Sequence, residues 1–133
     1  MLSQTRVHAA LPAVDLERAR AFYEERLGLS PSQDYPWALV YELKGRTRFS
    51  VFLTTNTARG GHTQMGFSVD DIRATVIDLK QRGVHFEEYH TPQLKTIDGI
   101  AETDGRKSAW FTDSEGNVIE LLQLSPPGEF HDE

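Results

Sequence analysis

Apolar and polar positions follow one repeating pattern along the chain. An apolar run leads into Val-Asp, then into a segment with apolar residues at helical spacing, then into Gly and an aliphatic residue. The first copy has Val14-Asp15-Leu16, Ala19, Phe22, Tyr23 and Gly28-Leu29; the second has Val69-Asp70-Asp71, Ala74, Ile77, Leu79 and Gly83-Val84. The copies lie 55 or 56 positions apart, depending on the side of Asp71 from which they are aligned. A period that long marks a supersecondary unit made twice.

Within the first copy the pattern predicts a strand over Val7 to Leu11 and a helix over Leu16 to Arg26, capped by Asp15 and stopped at Gly28. Strands follow over Ala38 to Leu43 and Phe49 to Thr54, joined by a turn at Lys44-Gly45-Arg46. Thr57 to Gly61 reads as a hinge. The second copy predicts a strand over Thr63 to Val69, a helix over Asp71 to Arg82, and strands over Val84 to Tyr89, Ser108 to Thr112 and Val118 to Leu124. Asp113 to Asn117 is a strong turn signal. Thr91 to Lys107 reads as a long loop with a short strand around Ile97 to Ala101, and its part from Gln93 onward as a candidate lid. The tail 125–133 contains Pro126-Pro127-Gly128 and is expected to fray. The whole, 1–133, is expected to be one domain, with module one at about 6–56 and module two at about 62–124.

Strand alternation then sorts faces. Leu11, Val51, Met65, Phe67, Ile119 and Leu121 are expected to face the helices. His8, Ser50, Phe52, Gln64, Gly66, Glu120 and Leu122 are expected on the opposite faces, which can curve into a shared trough.

Composition narrows the partners. A net charge of −6 argues against nucleic acid or an anionic membrane. The absence of cysteine excludes disulfides and thiolate chemistry and fits a cytoplasmic location. No run approaches the ~18 apolar residues of a membrane span, and Met1 to Arg6 carries no apolar run like that of a signal peptide. The glycines form no phosphate loop, so no nucleotide cofactor is expected.

The stretch from His8 through Val14-Asp15-Leu16 to Phe22-Tyr23, the following Leu27-Gly28-Leu29, and the ending Phe111 to Leu121 resemble the vicinal oxygen chelate superfamily of glyoxalase I, bleomycin-resistance proteins and extradiol dioxygenases. The resemblance covers about Val7 to Leu124. It implies an α+β fold of two βαβββ modules forming an incomplete barrel around a central trough, closed by a second chain in a homodimer. It also implies a small-molecule ligand and, in metal-dependent members, one divalent ion such as Zn, Mn, Fe or Ni. His8 falls on the first ligand position, Gln64 where the second module usually gives a histidine, and Glu120 on the final carboxylate, which is also the candidate catalytic group. The remaining ligand position falls on Phe52, which cannot bind a metal.

Two functions follow from that resemblance. One is a metal-dependent lyase, isomerase or transferase, or a dioxygenase-like enzyme, using His8, Glu120 and Gln64. The other is a metal-free protein that sequesters an aromatic or drug-like compound, with Phe52, Gln64, Trp37 and Trp110 as ligand-binding residues. Trp37, Tyr41, Phe52, Tyr89 and Trp110 either line an aromatic pocket or pack in the core. Gln64 is either a ligand or a hydrogen-bonding trough residue.

Overall fold

The computed structural model describes residues 1–55 and 61–124. Its elements are β1 (Ala9–Ala13), α1 (Leu16–Glu25), β2 (Gln33–Tyr35), β3 (Ala38–Glu42), β4 (Arg48–Leu53), β5 (Met65–Ser68), α2 (Ile72–Gln81), β6 (Ala101–Thr103), β7 (Arg106–Thr112) and β8 (Val118–Leu124). They build two four-stranded sheets, ordered β1-β4-β3-β2 and β5-β8-β7-β6. In each sheet the first strand runs parallel to the last and the other pairs are antiparallel. The chain therefore makes the same βαβββ unit twice, and the sheets do not close into a barrel.

The repeat is exact at the helix starts. Asp15 and Asp71 both sit in extended backbone, and each side chain accepts from the N–H three residues on, Arg18 and Ala74. Both supply the acceptor that the first turn of a helix lacks. α1 packs on β3 and β4, and α2 on β7 and β8. Beneath the sheets the two modules share one core, in which the Phe49 and Phe67 rings meet edge to face at 6.0 Å. Met65 and Phe67 pack against that core, as their alternation predicts. So do Leu11, Val51, Ile119 and Leu121, all nearly fully buried.

A clasp joins the modules, and it lies in the turn between β7 and β8. Asp113, Glu115 and Asn117 are buried there. Glu115 accepts from the backbone N–H groups of Val14 and Asp15 and from the Arg18 guanidinium, at 2.7 to 3.2 Å. Asp113 accepts from the Tyr23 hydroxyl at 2.7 Å. Asn117 donates to the Pro12 carbonyl at 3.1 Å and to Asp113 at 2.9 Å. At the far ends of the helices, Arg26 donates to the carbonyls of Arg82 and Gly83, which close α2.

Several expected elements differ. Val84 to Tyr89 is not a strand. β6 pairs with the first half of β7, so only the second half of that edge is open, and it takes one bridge (Phe86 to Phe111) and one bond from the Glu87 N–H to the Trp110 carbonyl. The expected strand at Ile97 to Ala101 is displaced to Ala101–Thr103, because Ile97 and Ile100 bond to each other across Asp98-Gly99. β1 begins two residues later than expected, at Ala9, where pairing with Phe49 starts. β2 was not expected; its three residues are all exposed and carry no alternation to read. The expected hinge, apart from Gly61, and the tail 125–133 lie outside the described residues.

Candidate functional site

The face of each sheet away from its helix carries the candidate residues. In module two, pairing aligns Gly66, Glu120 and Trp110 in one row across β5, β8 and β7. In module one, Pro12, Phe52, Ala38 and Tyr35 form a row across all four strands. Phe52 is 37% exposed and Trp37, in the turn after β2, is 61% exposed. Trp37 stacks on Tyr35 at 5.0 Å, so two rings of this exposed group lie face to face. Tyr41 does not join them. It lies on the helix side, nearly fully buried, stacked on Phe49 at 4.8 Å. Burial pushes its hydroxyl up to about 12.

His8 precedes β1 and is exposed. It lines a cleft of about 340 Å³ together with Gly66, Arg48, Phe49, Met65 and Phe67. Gly66 connects this cleft to Glu120: a Cβ built on it would lie 3.9 Å from a Glu120 carboxylate oxygen. A methyl group there would only touch the carboxylate at ordinary contact distance, and glycine leaves that space open. Glu120 itself is half-buried between Ile119 and Leu121, and its carboxylate forms no hydrogen bond or ion pair among the described residues.

Gln64 is differently placed. Its side-chain carbonyl accepts from the Val118 N–H at 3.0 Å, and its amide nitrogen donates to Asn117 Oδ1 at 3.0 Å. Asn117 in turn holds the Pro12 carbonyl of β1. The glutamine therefore ties the start of β5 to the inter-module clasp, and both ends of its amide are engaged.

The two caps also settle which positions correspond between modules. Asp15 matches Asp71, so Ala10 matches Gly66 and His8 matches Gln64. Ala10 pairs with Ser50, and Gly66 pairs with Glu120. The counterpart of Glu120 is thus Ser50. Phe52 pairs with Pro12 and matches Leu122, one trough row, or two residues, beyond Ser50. Among the described residues no three His, Asp or Glu side chains come together to hold an ion.

The family model for the Glyoxalase/Bleomycin resistance protein/Dioxygenase superfamily matches residues 5–121. The chain belongs to this superfamily. Human methylmalonyl-CoA epimerase is similar at 32% identity over 94 residues, which is 58% of this chain and 53% of the epimerase. The chain thus spans about half the length of the curated relatives it matches. The crystal structure of UcmS2 superimposes with a TM-score of 0.71 at 22% identity, covering 90% of this chain and 98% of that one. TnmS3, an antibiotic-binding protein from Streptomyces sp. CB03234, is 26% identical with a TM-score of 0.64, covering 92% of this chain and 99% of that one. The superimposed structures share the fold, and a shared fold does not fix a shared chemistry.

What sequence reasoning missed in the site is the identity of the partners of Gln64, which it left as either a ligand or a hydrogen-bonding residue, and the role of the 113–117 turn. The available signal was Asp-x-Glu-x-Asn between two apolar strands, a density of side-chain acceptors greater than a turn alone needs.

Proposed function

We propose that this protein binds a small, flat organic molecule in its trough without a resident metal ion, as an aromatic-compound-binding member of the superfamily. The carrying observation is the engaged amide of Gln64. With Gln64 committed to Asn117 and Val118, and Ser50 opposite Ala10, the donor set reduces to His8 and Glu120. Two side-chain donors fall short of the three or four protein ligands of a tightly held ion, so the residues do not fit one. The exposed aromatic rings of Phe52, Trp37 and Tyr35 on one module, and the half-buried ring of Trp110 on the other, supply stacking surface. The likeness to an antibiotic-binding protein supports this reading.

The test uses two planar probes, neutral 1,8-dihydroxyanthraquinone and cationic 9-aminoacridine, titrated against the intrinsic fluorescence of Trp37 and Trp110. Saturable quenching by at least one probe, unchanged by EDTA and weakened by Phe52→Ala but not by Glu25→Ala, is expected. Absence of saturation with both probes, or binding that requires an added divalent ion, overturns the proposal.

A second reading rests on Glu120 and His8 flanking Gly66, one from each module. A half-buried carboxylate with no partner among the described residues is a candidate proton acceptor. The likeness to methylmalonyl-CoA epimerase makes a proton exchange beside a thioester carbonyl the reaction to assay. Deuterium wash-in from D2O into methylmalonyl-CoA, abolished by Glu120→Gln, would favour it over sequestration.

A further inference from the structure

Trp110 is gripped from two sides. Its indole N–H donates to Thr63 Oγ1 at 3.0 Å, and the Tyr89 ring stands perpendicular to it with centroids 5.5 Å apart. Trp110 lies in register with Glu120, so the angle of its ring decides what the trough presents beside the carboxylate. Tyr89 belongs to no strand, and something else must hold it.

That role falls to Thr96 and Glu88. Thr96 and Tyr89 bond reciprocally: the Thr96 N–H donates to the Tyr89 carbonyl at 2.9 Å, and the Tyr89 N–H donates to Thr96 Oγ1 at 2.8 Å. The Thr96 hydroxyl then donates to Glu88 Oε1, which also accepts from the Gly99 N–H at 3.0 Å. Thr96 is 3% exposed, so its hydroxyl cannot exchange these partners for water without opening the loop. Gly99 is required by geometry: its φ is +83°, and a Cβ there would lie 3.1 Å from the Phe86 Cβ. Lys80 reaches across to the Asp98 carbonyl at 3.4 Å and ties the loop to α2. This is more hydrogen bonding than a surface connection needs, and it converges on one aromatic ring.

We propose that Thr96, with Glu88, is a positioning residue that sets Tyr89 and through it the plane of Trp110, the module-two stacking surface for the trough ligand. The inference rests on the ligand reading above only in its binding arm. Thr96 acts through Tyr89 and does not touch the ligand. Because its hydroxyl both donates and accepts, serine can replace it and valine cannot.

The experiment uses the full chain in a Trp37→Phe background, where Trp110 is the sole tryptophan. Near-ultraviolet circular dichroism reads the ring's fixed asymmetry without any ligand. Thr96→Val should collapse the Trp110 band while leaving the far-ultraviolet spectrum intact, and Thr96→Ser should retain it. With 9-aminoacridine as the probe, Thr96→Val should weaken binding about three- to tenfold, the size of one aromatic contact. Tyr89→Leu, which removes the ring but keeps the latch, should lose the same band and decides the matter if Thr96→Val fails to fold. A Trp110 band unchanged in Tyr89→Leu, or unchanged in folded Thr96→Val, overturns the proposal. Loss of the band in a protein whose parent binds neither planar probe supports the latch and overturns the ligand reading instead.

Discussion

Glu115 shows how one buried carboxylate can organise two modules. Burial pushes its carboxyl up, but the bonds from Arg18, Ser114 and the backbone of Asp15 and Val14 outweigh that and hold it below the usual range. A lowered native pKa means that the unfolded chain takes up the proton first as pH falls. The stabilisation is therefore full above the ordinary carboxylate value of about 4.3 and drains as pH falls through the lowered native value. Glu115→Gln should cost roughly 2–3 kcal/mol at pH 7 and flatten the acid limb, measured by urea melts between pH 7 and 3. An acid limb as steep as that of the parent would show that Glu115 is not its source. Gly66 gives the complementary case. Its added Cβ would meet only ordinary contacts at 3.5 and 3.9 Å. Gly66→Ala should therefore shift stability by less than about 1 kcal/mol while weakening probe binding beside Glu120 and Trp110, its neighbours in the trough row. A large loss of stability with unchanged binding would place Gly66 in the fold and not in the site.

At the scale of elements, the helices are set by local chemistry and placed by distant partners. Asp71→Ala should cost about 1 kcal/mol, because it removes the acceptor for the Ala74 N–H. Asp71→Asn or Asp71→Ser should recover most of that in thermal melts, and no recovery would mean that charge and not capping is at work. The strands tell the other half. β8 spans Val118 to Leu124, as its alternating apolar pattern predicts, since Ile119 and Leu121 are buried while Glu120 and Leu122 are not. Val84 to Tyr89 has strand-like residues yet forms none, because an edge must be free before a strand can pair with it. That edge belongs partly to β6, a three-residue strand closed by Asp104 and Gly105, both at positive φ. Propensity can nominate a strand, but only the sheet can admit it.

At the scale of the whole molecule, β1 and β5 each pair with one strand only and lie at a sheet edge. Edges are covered, blunted or paired in stable proteins. Pro12 blunts one, and the Asn117 bridge from Pro12 to Gln64 spans the gap at one end. Trp37, Phe52 and Leu53 remain substantially exposed, at 61%, 37% and 49%. A homodimer that shelters these residues is the expected state, with closed twofold symmetry. Sedimentation velocity from 1 to about 100 µM should show dimer, and Trp37→Ser should shift it toward monomer if that ring lies at the contact. Monomer alone across that range would overturn the expectation. No helix among the described residues is long and apolar enough to cross a membrane.

The sequence by itself determined what depends on neighbours a few positions away. Both helices, the aspartate cap of the first, the inward faces of β5 and β8 and the doubling of the βαβββ unit were legible. Helical and strand periodicities are short, and a capping side chain bonds to a group three residues on. The tertiary structure decided everything that needed a partner from afar. Nothing local says that Glu115 is buried, since the amides it receives belong to Val14 and Asp15, about a hundred positions earlier. Gln64 reads as either a ligand or a hydrogen-bonding trough residue, and only the fold supplies the partner, Asn117, 53 positions away, that takes its nitrogen. Ser50 becomes the counterpart of Glu120 only when strand register is known, because one step of alternation separates a trough residue from a core residue and two steps separate one trough row from the next. Charge and hydrogen bonding are satisfied by whatever the fold brings near, and that information is carried by the packed molecule and not by the order of its residues.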